Sequence, residues 1–487
     1  MTNGASASRR DFIKGLATSA MLTGAGAVSA NAGETSDTAQ PAKKPNVVLF
    51  VADQVRWDFI GAYGLNPTTR TPNLNRIAEK GVAFSTAVTN QPLCSPSRAC
   101  MMTGRYATET GMWKLELDLK HELPTLASVL RQNGYTANFI GKWHLAPIAP
   151  GNVQQRGFVP PEDRGGFLDF WEGANALELT SHPYSGEIWD GKGNVIRFDD
   201  QYRVDFITDR AVRFLKQPQE KPFLLFISQL EPHHQNDEKR FVAPKGYAER
   251  YQNPFVPPDL LHLPGDWQEQ LPDYYGAIER IDESVGTVLQ TLEEQGILDN
   301  TIFLFTSDHG CHFRTRNTEY KRSPHDASIR VPFLMQGPGI ESSMGFDQVV
   351  GNRHLTPTLL ELTGTPIPKS MNGSSLVPLM RDGQARKDWP NKELIQISES
   401  MVGRAVRTRE WTYCVADPTL DGGATPNSTH YVEYQMYNNF SDPAQLVNLA
   451  GRAPNREAAK ELRAQLLELI DEAGEPMPSI APAKLYP

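Results

Sequence analysis

Cysteine is scarce in this sequence. Four cysteines occur among 487 residues, at positions 94, 100, 311 and 414, and that is too few for a fold held together by disulfide bonds. Basic residues are not in excess either, since 48 Lys and Arg face 57 Asp and Glu for a formal net charge of -9. This balance argues against a nucleic-acid partner. No stretch after residue 32 has the apolar length that spans a bilayer, so we expect no membrane anchor.

The first 32 residues show the order of regions found in an export signal. Arg9 and Arg10 precede a modestly apolar run at 15–28, and Ala30-Asn31-Ala32 provides a small-residue cleavage site. The pattern resembles a twin-arginine signal peptide, which implies the twin-arginine export machinery as a partner and a periplasmic or secreted location in a bacterium. An amphipathic helix is the alternative for 1–32. Residues 33–44 are expected to form a flexible leader.

Short apolar runs alternate with helical patterns through most of the chain, which predicts a parallel α/β sheet. The runs lie at 46–52, 135–140, 222–228, 301–305 and 330–335, and the clearest helical patterns lie at 202–216 and 273–295. The segment 151–202 is expected to be rich in loops. Beyond residue 373 the runs at 394–397, 404–408, 411–415 and 434–437 suggest an antiparallel sheet, followed by an amphipathic helix at 455–472. We therefore expect one domain at 45–372 and a smaller one at 373–487.

Polar, chemically capable side chains follow several of these runs. Asp53 comes after the first run and Asp308 after the fourth. Each alone is more often a cap or a turn residue, but ligands bind beyond the carboxyl ends of parallel strands, where two carboxylates would make a site for a hard cation. Lys142 and His144 stand two apart on an extended segment and are expected to point to one face.

The stretch from Leu93 to Arg105 contains the residue on which the rest of the prediction depends. Pro96 suits the start of a helix, which would place Cys94 just before a helix N-terminus, where a thiolate or a bound anion is favoured. Arg98 can fold back over the same point and offer donors to an oxyanion. The alternative is a buried structural cysteine beside a surface arginine.

Taken together, Cys94-Ser95-Pro96-Ser97-Arg98 and Thr103-Gly104-Arg105 resemble the signature of the type I sulfatases of the alkaline phosphatase superfamily. The resemblance implies a large mixed, mostly parallel sheet between helices, with a smaller C-terminal subdomain of antiparallel sheet plus helix. It also implies a sulfuric ester hydrolase in which a maturation enzyme oxidises Cys94 to formylglycine (3-oxoalanine). In its hydrated form, one hydroxyl would attack sulfur and the other would later release sulfate.

The same resemblance implies a site for one divalent cation, most often Ca²⁺ in this family, with Mg²⁺ and Mn²⁺ left open. Its implied ligands are Asp53, Gln54, Cys94, Asp308 and His309. Gln54 stands where many relatives carry a second Asp, and His309 stands where many carry Asn, so the ligand set departs from the commoner pattern at two positions.

Catalytic roles are implied for six residues by motif position. The implied set is Cys94, Arg98, Lys142, His144, His233 and Lys321. Lys142 and Lys321 would bind sulfate oxygens, and His144 would orient the hydroxyl of the modified residue. His233 would protonate the leaving alcohol. His312, Arg314 and His325 are further candidates for substrate contacts.

The substrate class is expected to be a sulfated carbohydrate, because exported bacterial sulfatases mostly resemble enzymes acting on sulfated glycans. Three alternatives stay open at this stage. The first is a phosphodiesterase or phosphonate monoester hydrolase of the same superfamily. The second is a non-catalytic glycan-binding homologue, and the third is a thiol enzyme that uses Cys94 unmodified.

Overall fold

A sheet of eleven strands lies at the centre of residues 43–149 and 151–486, which the computed structural model describes. Its strand order is β11-β2-β10-β9-β1-β8-β3-β4-β6-β5, with β7 paired to β6. The strands are β1 (Asn46–Ala52), β2 (Val82–Val88), β3 (Thr136–Lys142), β4 (Phe170–Ala174), β5 (Ser181–His182), β6 (Ser185–Asp190), β7 (Val195–Asp199), β8 (Phe223–Gln229), β9 (Thr301–Ser307), β10 (Phe333–Gln336) and β11 (Met344–Gly351).

The centre of this sheet is parallel, as predicted. Strands β9, β1, β8, β3 and β4 run in one direction, with Val47 opposite Leu224 on one side and Ile302 on the other. The mixed character comes from β10, which is antiparallel to both β9 and β2, and from β6, which is antiparallel to β4, β5 and β7. The run expected at 330–335 is therefore a strand of the opposite direction, because no helix long enough for a crossover separates it from β9.

Successive side chains of β1 point to opposite faces of the sheet and join two different hydrophobic clusters. Both faces are therefore apolar, and helices cover both. Val48 and Phe50 join one hydrophobic cluster, while Val47 and Leu49 join the other, and every residue of β1 is buried. The helices are α1 (Pro72–Lys80), α2 (Cys94–Thr103), α3 (Ala107–Thr110), α4 (Leu126–Gln132), α5 (Leu177–Thr180), α6 (Arg203–Leu215), α7 (Pro258–Leu261), α8 (Trp267–Glu294), α9 (Asp326–Ile329), α10 (Leu355–Leu362), α11 (Val377–Arg381), α12 (Gly383–Asp388) and α13 (Arg456–Glu472).

A second sheet follows in the C-terminal part of the chain. Its strands are β12 (Lys392–Ile397), β13 (Val402–Thr408), β14 (Trp411–Asp417), β15 (His430–Asn438) and β16 (Ser479–Ala481). The first four are antiparallel, as predicted, and β16 is an additional strand parallel to β15. Helix α13 packs on this sheet through Leu462, Leu466 and Ile470. This architecture confirms the predicted fold class.

The structure bears on the expected loop segment at 151–202 and on the expected domain boundary at 372/373. The segment 151–202 is not mainly loop, because it contains β4 to β7 and the short helix α5. Leu376, Leu379 and Met380 pack into the core of the first sheet, so the boundary expected at 372/373 stays a prediction. The expected signal peptide at 1–32 and nearly all of the leader at 33–44 lie outside the described residues. Among the residues described, no helix combines the length and apolar character needed to cross a membrane.

Candidate active site

The two predicted acidic residues meet at the carboxyl edge of the first sheet. Asp53 follows β1 and Asp308 follows β9, its parallel neighbour, and both side chains are fully buried. The backbone N–H of Gln54 donates to Asp308 Oδ1 at 3.1 Å, which ties the two strand ends together. Burial and the nearby charge of Asp53 raise the pKa of Asp308. The site therefore concentrates negative charge that calls for a positive partner.

Cys94 and His309 complete a buried cluster of possible metal ligands. One ligand atom from each of Asp53, Cys94, Asp308 and His309 lies within 4.8 Å of the others. The Sγ of Cys94 is 3.2 Å from His309 Nε2, and that nitrogen is 3.5 Å from Asp53 Oδ1. The Nδ1 of His309 donates to the carbonyl of Gly310 at 3.0 Å. This tautomer leaves the lone pair on Nε2, facing the cluster.

Cys94 is the first residue of helix α2, with Leu93 as the N-cap. The sequence pattern predicts a start at Pro96, with Cys94 just before the helix, and the helix begins two residues earlier than that. Burial would raise the pKa of a thiol here, yet Lys142, Lys321 and His309 outweigh it and lower the pKa of Cys94 well below its ordinary value. The surroundings therefore stabilise negative charge at the Cys94 side chain.

Arg98 lies in the site but does not fold over Cys94. Its guanidinium donates to Asp308 Oδ2 at 3.0 Å and to Asp53 Oδ2 at 3.3 Å. It also donates to the carbonyl of Lys142 at 2.9 Å and to Ser228 Oγ at 2.7 Å. Arg98 thus holds the two carboxylates and the ends of β3 and β8 in place. Its guanidinium N–H groups donate to these partners rather than to an oxyanion at Cys94.

Lys142 and His144 reach the same side of the site, as their spacing predicts, with Trp143 packed away into the core. Lys142 Nζ lies 2.7 Å from Asp53 Oδ2 and 2.9 Å from Glu178 Oε1. His144 Nδ1 is 3.6 Å from the same Glu178 oxygen. His144 has a φ of 62°, so the segment turns after β3 instead of continuing extended.

Glu178 is a residue of the site that the sequence did not reveal. It lies in α5, inside the segment expected to be loop, and no motif connects it with Lys142. Burial opposes the charge of Glu178, but Lys142 and His144 outweigh it and lower the pKa of its carboxyl to about 2. The charged carboxylate is therefore a fixed part of the site.

His233 and Lys321 close the other side of the site. Lys321 Nζ is 3.0 Å from Cys94 Sγ, 3.1 Å from His309 Nε2 and 3.3 Å from His233 Nε2. The Nδ1 of His233 donates to the carbonyl of His234 at 2.7 Å, which turns Nε2 toward the site. These groups border a cavity of about 110 Å³ lined by Gln54, Cys94, Leu115, His144, Glu178, His233, His234, Asn236, Glu319, Tyr320, Lys321 and Arg322.

A family profile described as Sulfatase matches residues 45–365. The chain belongs to the sulfatase family. A second profile, described as N-sulphoglucosamine sulphohydrolase, C-terminal, matches residues 318–472 and covers most of the second sheet. The chain is accordingly a sulfuric ester hydrolase of the alkaline phosphatase superfamily, as its motifs predict.

Individual relatives agree with this sulfatase assignment. The chain is 30% identical to an ulvan-active sulfatase of Formosa agariphila, over 89% of this chain and 82% of that one. It is 24% identical to an N-acetylglucosamine-6-O-sulfatase of Bacteroides thetaiotaomicron, over 88% of this chain and 86% of the other. A solved Bacteroides thetaiotaomicron structure from work on glycosaminoglycan metabolism has the same fold, with a TM-score of 0.76, 23% identity, and coverage of 89% and 97%.

The residues of this sulfatase site fit a divalent cation. Two carboxylates and the imidazole Nε2 of His309 converge within 4.8 Å, and carboxylate-rich sets suit Ca²⁺, Mg²⁺ or Mn²⁺. Gln54 lines the same cavity, and its Nε2 is buried without a hydrogen-bond partner among the described residues. An amide ligates a hard cation through its oxygen, so this free nitrogen does not by itself assign Gln54 to the cation.

None of the three candidate substrate contacts is among the residues that line the cavity of this sulfatase, although Arg314 stacks over Tyr320, which does line it. His312 is fully buried, its Nε2 donates to the carbonyl of Lys321 at 3.0 Å, and burial lowers its pKa to about 3. Arg314 is half-exposed and pairs with Asp266 at 3.6 Å. His325 is buried between Ser323 and Tyr437, at 3.1 Å from each hydroxyl. They were expected in a substrate-facing loop, but the loop folds inward after Asp308 and buries both histidines.

Proposed function

We propose that this sulfatase hydrolyses the sulfate monoesters of carbohydrates, using a formylglycine formed from Cys94 and one divalent cation. The observation that carries the proposal is the buried Cys94 side chain, which lies between a cluster of acidic ligands and the ammonium of Lys321. A sulfate group needs positive charge on its oxygens and a nucleophile on sulfur, and this arrangement offers both.

The carbohydrate class is supported by what relatives act on. One relative is named for ulvan and another for N-acetylglucosamine-6-O-sulfate. The cavity in this chain is small and polar, which suits a single sulfated sugar unit entering with its ester first.

Asp53, Gln54, Asp308 and His309 would hold the cation, with the Cys94 position as the fifth contact. The modified residue would supply a nucleophilic hydroxyl, and the cation, proposed as Ca²⁺ with Mg²⁺ and Mn²⁺ as alternatives, would polarise sulfate oxygens. Arg98 keeps both carboxylates in place and charged. Lys142 and Lys321 bind the remaining sulfate oxygens and neutralise the charge that builds there.

Two histidines handle protons. His233 Nε2 faces the site while its Nδ1 is bound to a carbonyl, so a proton on Nε2 can pass to the departing alcohol oxygen. An alkoxide leaves poorly, and a positioned donor of this kind contributes about 10²–10⁴-fold. His144, which borders Cys94 and Glu178, would orient the attacking hydroxyl of the modified residue. In the second step it would accept the proton of the other hydroxyl, so that the carbon–oxygen bond to sulfate breaks, sulfate leaves and the aldehyde is restored.

Further parts of the proposal concern the history of the protein. We propose maturation by a formylglycine-generating enzyme, which the motif that begins at Cys94 supports. We also propose export by the twin-arginine machinery and a periplasmic or secreted location, which Arg9, Arg10, the apolar run after them and the small-residue site at 30–32 support. A boundary near 372/373 between the catalytic and C-terminal parts belongs to the same set.

A comparison of kcat/KM across a panel of esters tests the reaction class. The purified enzyme is assayed on defined sulfated mono- and oligosaccharides, an aryl sulfate, an aryl phosphate diester and an aryl phosphonate monoester. We expect kcat/KM to be highest for a sulfated sugar. A higher value for the diester or the phosphonate would establish the alternative hydrolase instead.

The Cys94 position is tested by mass spectrometry and substitution. We expect the Cys94 peptide to carry the mass of the aldehyde or its hydrate, and Cys94→Ala to lower kcat by about 10³-fold or more. Cys100→Ala, in the same buried helix, is the matched control and should retain activity. A thiol at position 94 in fully active enzyme would establish the thiol alternative, and full activity in Cys94→Ala would refute the proposal.

A further inference from the structure

Glu178 brings a buried carboxylate into a cavity that is otherwise suited to anions. Its side chain is 9% exposed and forms part of the cavity wall together with His144, His233 and Lys321. A carboxylate repels sulfate, so its presence beside the sulfate-binding lysine calls for a reason. The ion pair with Lys142 accounts for one carboxylate oxygen of Glu178. It does not account for the other oxygen.

The two carboxylate oxygens differ in their surroundings. Oε1 accepts from Lys142 Nζ at 2.9 Å and lies 3.6 Å from His144 Nδ1. Oε2 is buried and has no hydrogen-bond partner within residues 43–149 and 151–486. A buried charged oxygen without a donor is costly, and such atoms in native proteins have partners. The missing donor can come from a ligand in the cavity.

We infer that Glu178 Oε2 accepts a hydrogen bond from a hydroxyl or N–H group that the substrate carries beside its sulfate ester. Lys142 Nζ connects the two ends of this interaction, because it contacts Glu178 at 2.9 Å and is assigned a sulfate oxygen in the proposed function. The donor is therefore on the same sugar ring as the sulfate, at a neighbouring position. This inference rests on the proposed function of the site.

As a consequence, the site should discriminate against substrates that carry a second anionic group next to the sulfate ester. A sugar with a free hydroxyl or amino group next to the sulfate satisfies Oε2, whereas a neighbouring sulfate or carboxylate places like charges together in a buried site. The enzyme thus acts on units that carry one sulfate at this location, and a vicinal disulfated unit must lose its other sulfate first.

Three matched sugars test the inference in the full-length enzyme. They are the best sulfated sugar of the panel, its analogue with the neighbouring hydroxyl replaced by hydrogen, and its vicinal disulfate. Wild type should prefer the hydroxyl sugar over the deoxy analogue by about 10- to 100-fold in kcat/KM. In Glu178→Gln this ratio should fall by about tenfold, and the relative rate on the disulfate should rise.

Glu319→Gln is the matched control. Glu319 also lines the cavity, but its side chain is 57% exposed, so the ratio between the two sugars should stay at the wild-type value. If Glu178 only holds Lys142 in place, Glu178→Gln will lower kcat/KM equally for all three sugars, and that result overturns the inference.

Catechol monosulfate and phenyl sulfate separate this inference from the sugar assignment. The two esters differ by one hydroxyl next to the sulfate, and Glu178→Gln should reduce the preference for catechol monosulfate. If this occurs while no sulfated sugar is cleaved, the carbohydrate proposal fails and the role of Glu178 stands. If the panel sugars are cleaved but neither pair changes its ratio, the role of Glu178 is refuted and the proposed function stands.

Discussion

Arg322 Nη2 lies 2.6 Å from Glu399 Oε2, which joins the loop carrying Lys321 to the turn between β12 and β13 of the second sheet. Ser400 Oγ donates to the carbonyl of Arg322 at 2.6 Å, and Leu115 N–H donates to Glu399 Oε1 at 2.9 Å. The C-terminal part of the chain therefore helps to position a lysine of the active site.

Glu399→Gln should weaken this connection and lower kcat/KM by about tenfold, because a partly buried charge-assisted hydrogen bond contributes about 1.5–3 kcal/mol. The loss should appear mainly in KM, since Lys321 is expected to bind sulfate. Steady-state kinetics on the best substrate measure it. Glu468→Gln, which removes an exposed partner of Lys392, is the control. Equal kinetics in both variants would contradict the positioning role.

Acid should destabilise the enzyme through His312. Its pKa is lowered to about 3 by burial, while an unfolded histidine titrates near 6.5. The unfolded chain therefore binds more protons between these values, and stability falls as the pH falls. From pH 7 to pH 5 the contribution is about 2 kcal/mol. His312→Gln should remove that part of the pH dependence, as measured by urea unfolding at both pH values.

His262→Gln is the control for this experiment. His262 is exposed, and its replacement should leave the difference between pH 7 and pH 5 as in wild type. A His312→Gln variant with the full wild-type pH dependence would show that other buried groups account for the acid sensitivity.

Removal of divalent cations should lower both activity and thermal stability. Asp53 and Asp308 are buried together, and without a cation their charges repel each other. Dialysis against a chelator should lower the melting temperature, and added Ca²⁺ should restore it, with Mg²⁺ and Mn²⁺ tested in parallel. Asp53→Asn should show a smaller chelator effect. A melting temperature insensitive to chelator in the wild type would argue against a cation at these carboxylates.

Glu393→Ala should destabilise the whole chain by about 3–5 kcal/mol, because it removes the buried carboxylate partner of Arg353 and leaves only the half-exposed Glu472 as its acidic partner. Glu393, at the start of the second sheet, accepts from Arg353 Nε at 3.1 Å, from His354 Nε2 at 2.7 Å and from Asn90 Nδ2 at 2.9 Å. Urea unfolding measures the loss. The exposed Glu468→Ala should cost little, and similar values for both variants would refute the prediction.

Local sequence patterns determined a large part of this protein. The apolar runs that became β1, β3, β8 and β9 are short and buried on both faces, so their hydrophobicity alone identifies them. Asp53 and Asp308 follow such runs directly, and parallel strands bring their ends together. Strand β2 was not predicted, because Ser85 and Thr86 interrupt its apolar character.

Tertiary structure decided what depends on contacts between distant segments. Arg98 binds Asp53 and Asp308 because the ends of several strands surround it. His312 and His325 are buried because their loop turns inward. Neither outcome can be read from the residues next to them in sequence. Glu178 lies in a short helix without a motif, and only the packing of α5 against β4 and β6, beside β3, brings its carboxylate to Lys142. The sequence determined which chemistry is available, through the Cys94 motif and the polar residues at the strand ends. The fold decided which charged side chains face one another, because burial and pairing arise only when distant segments of the chain come together.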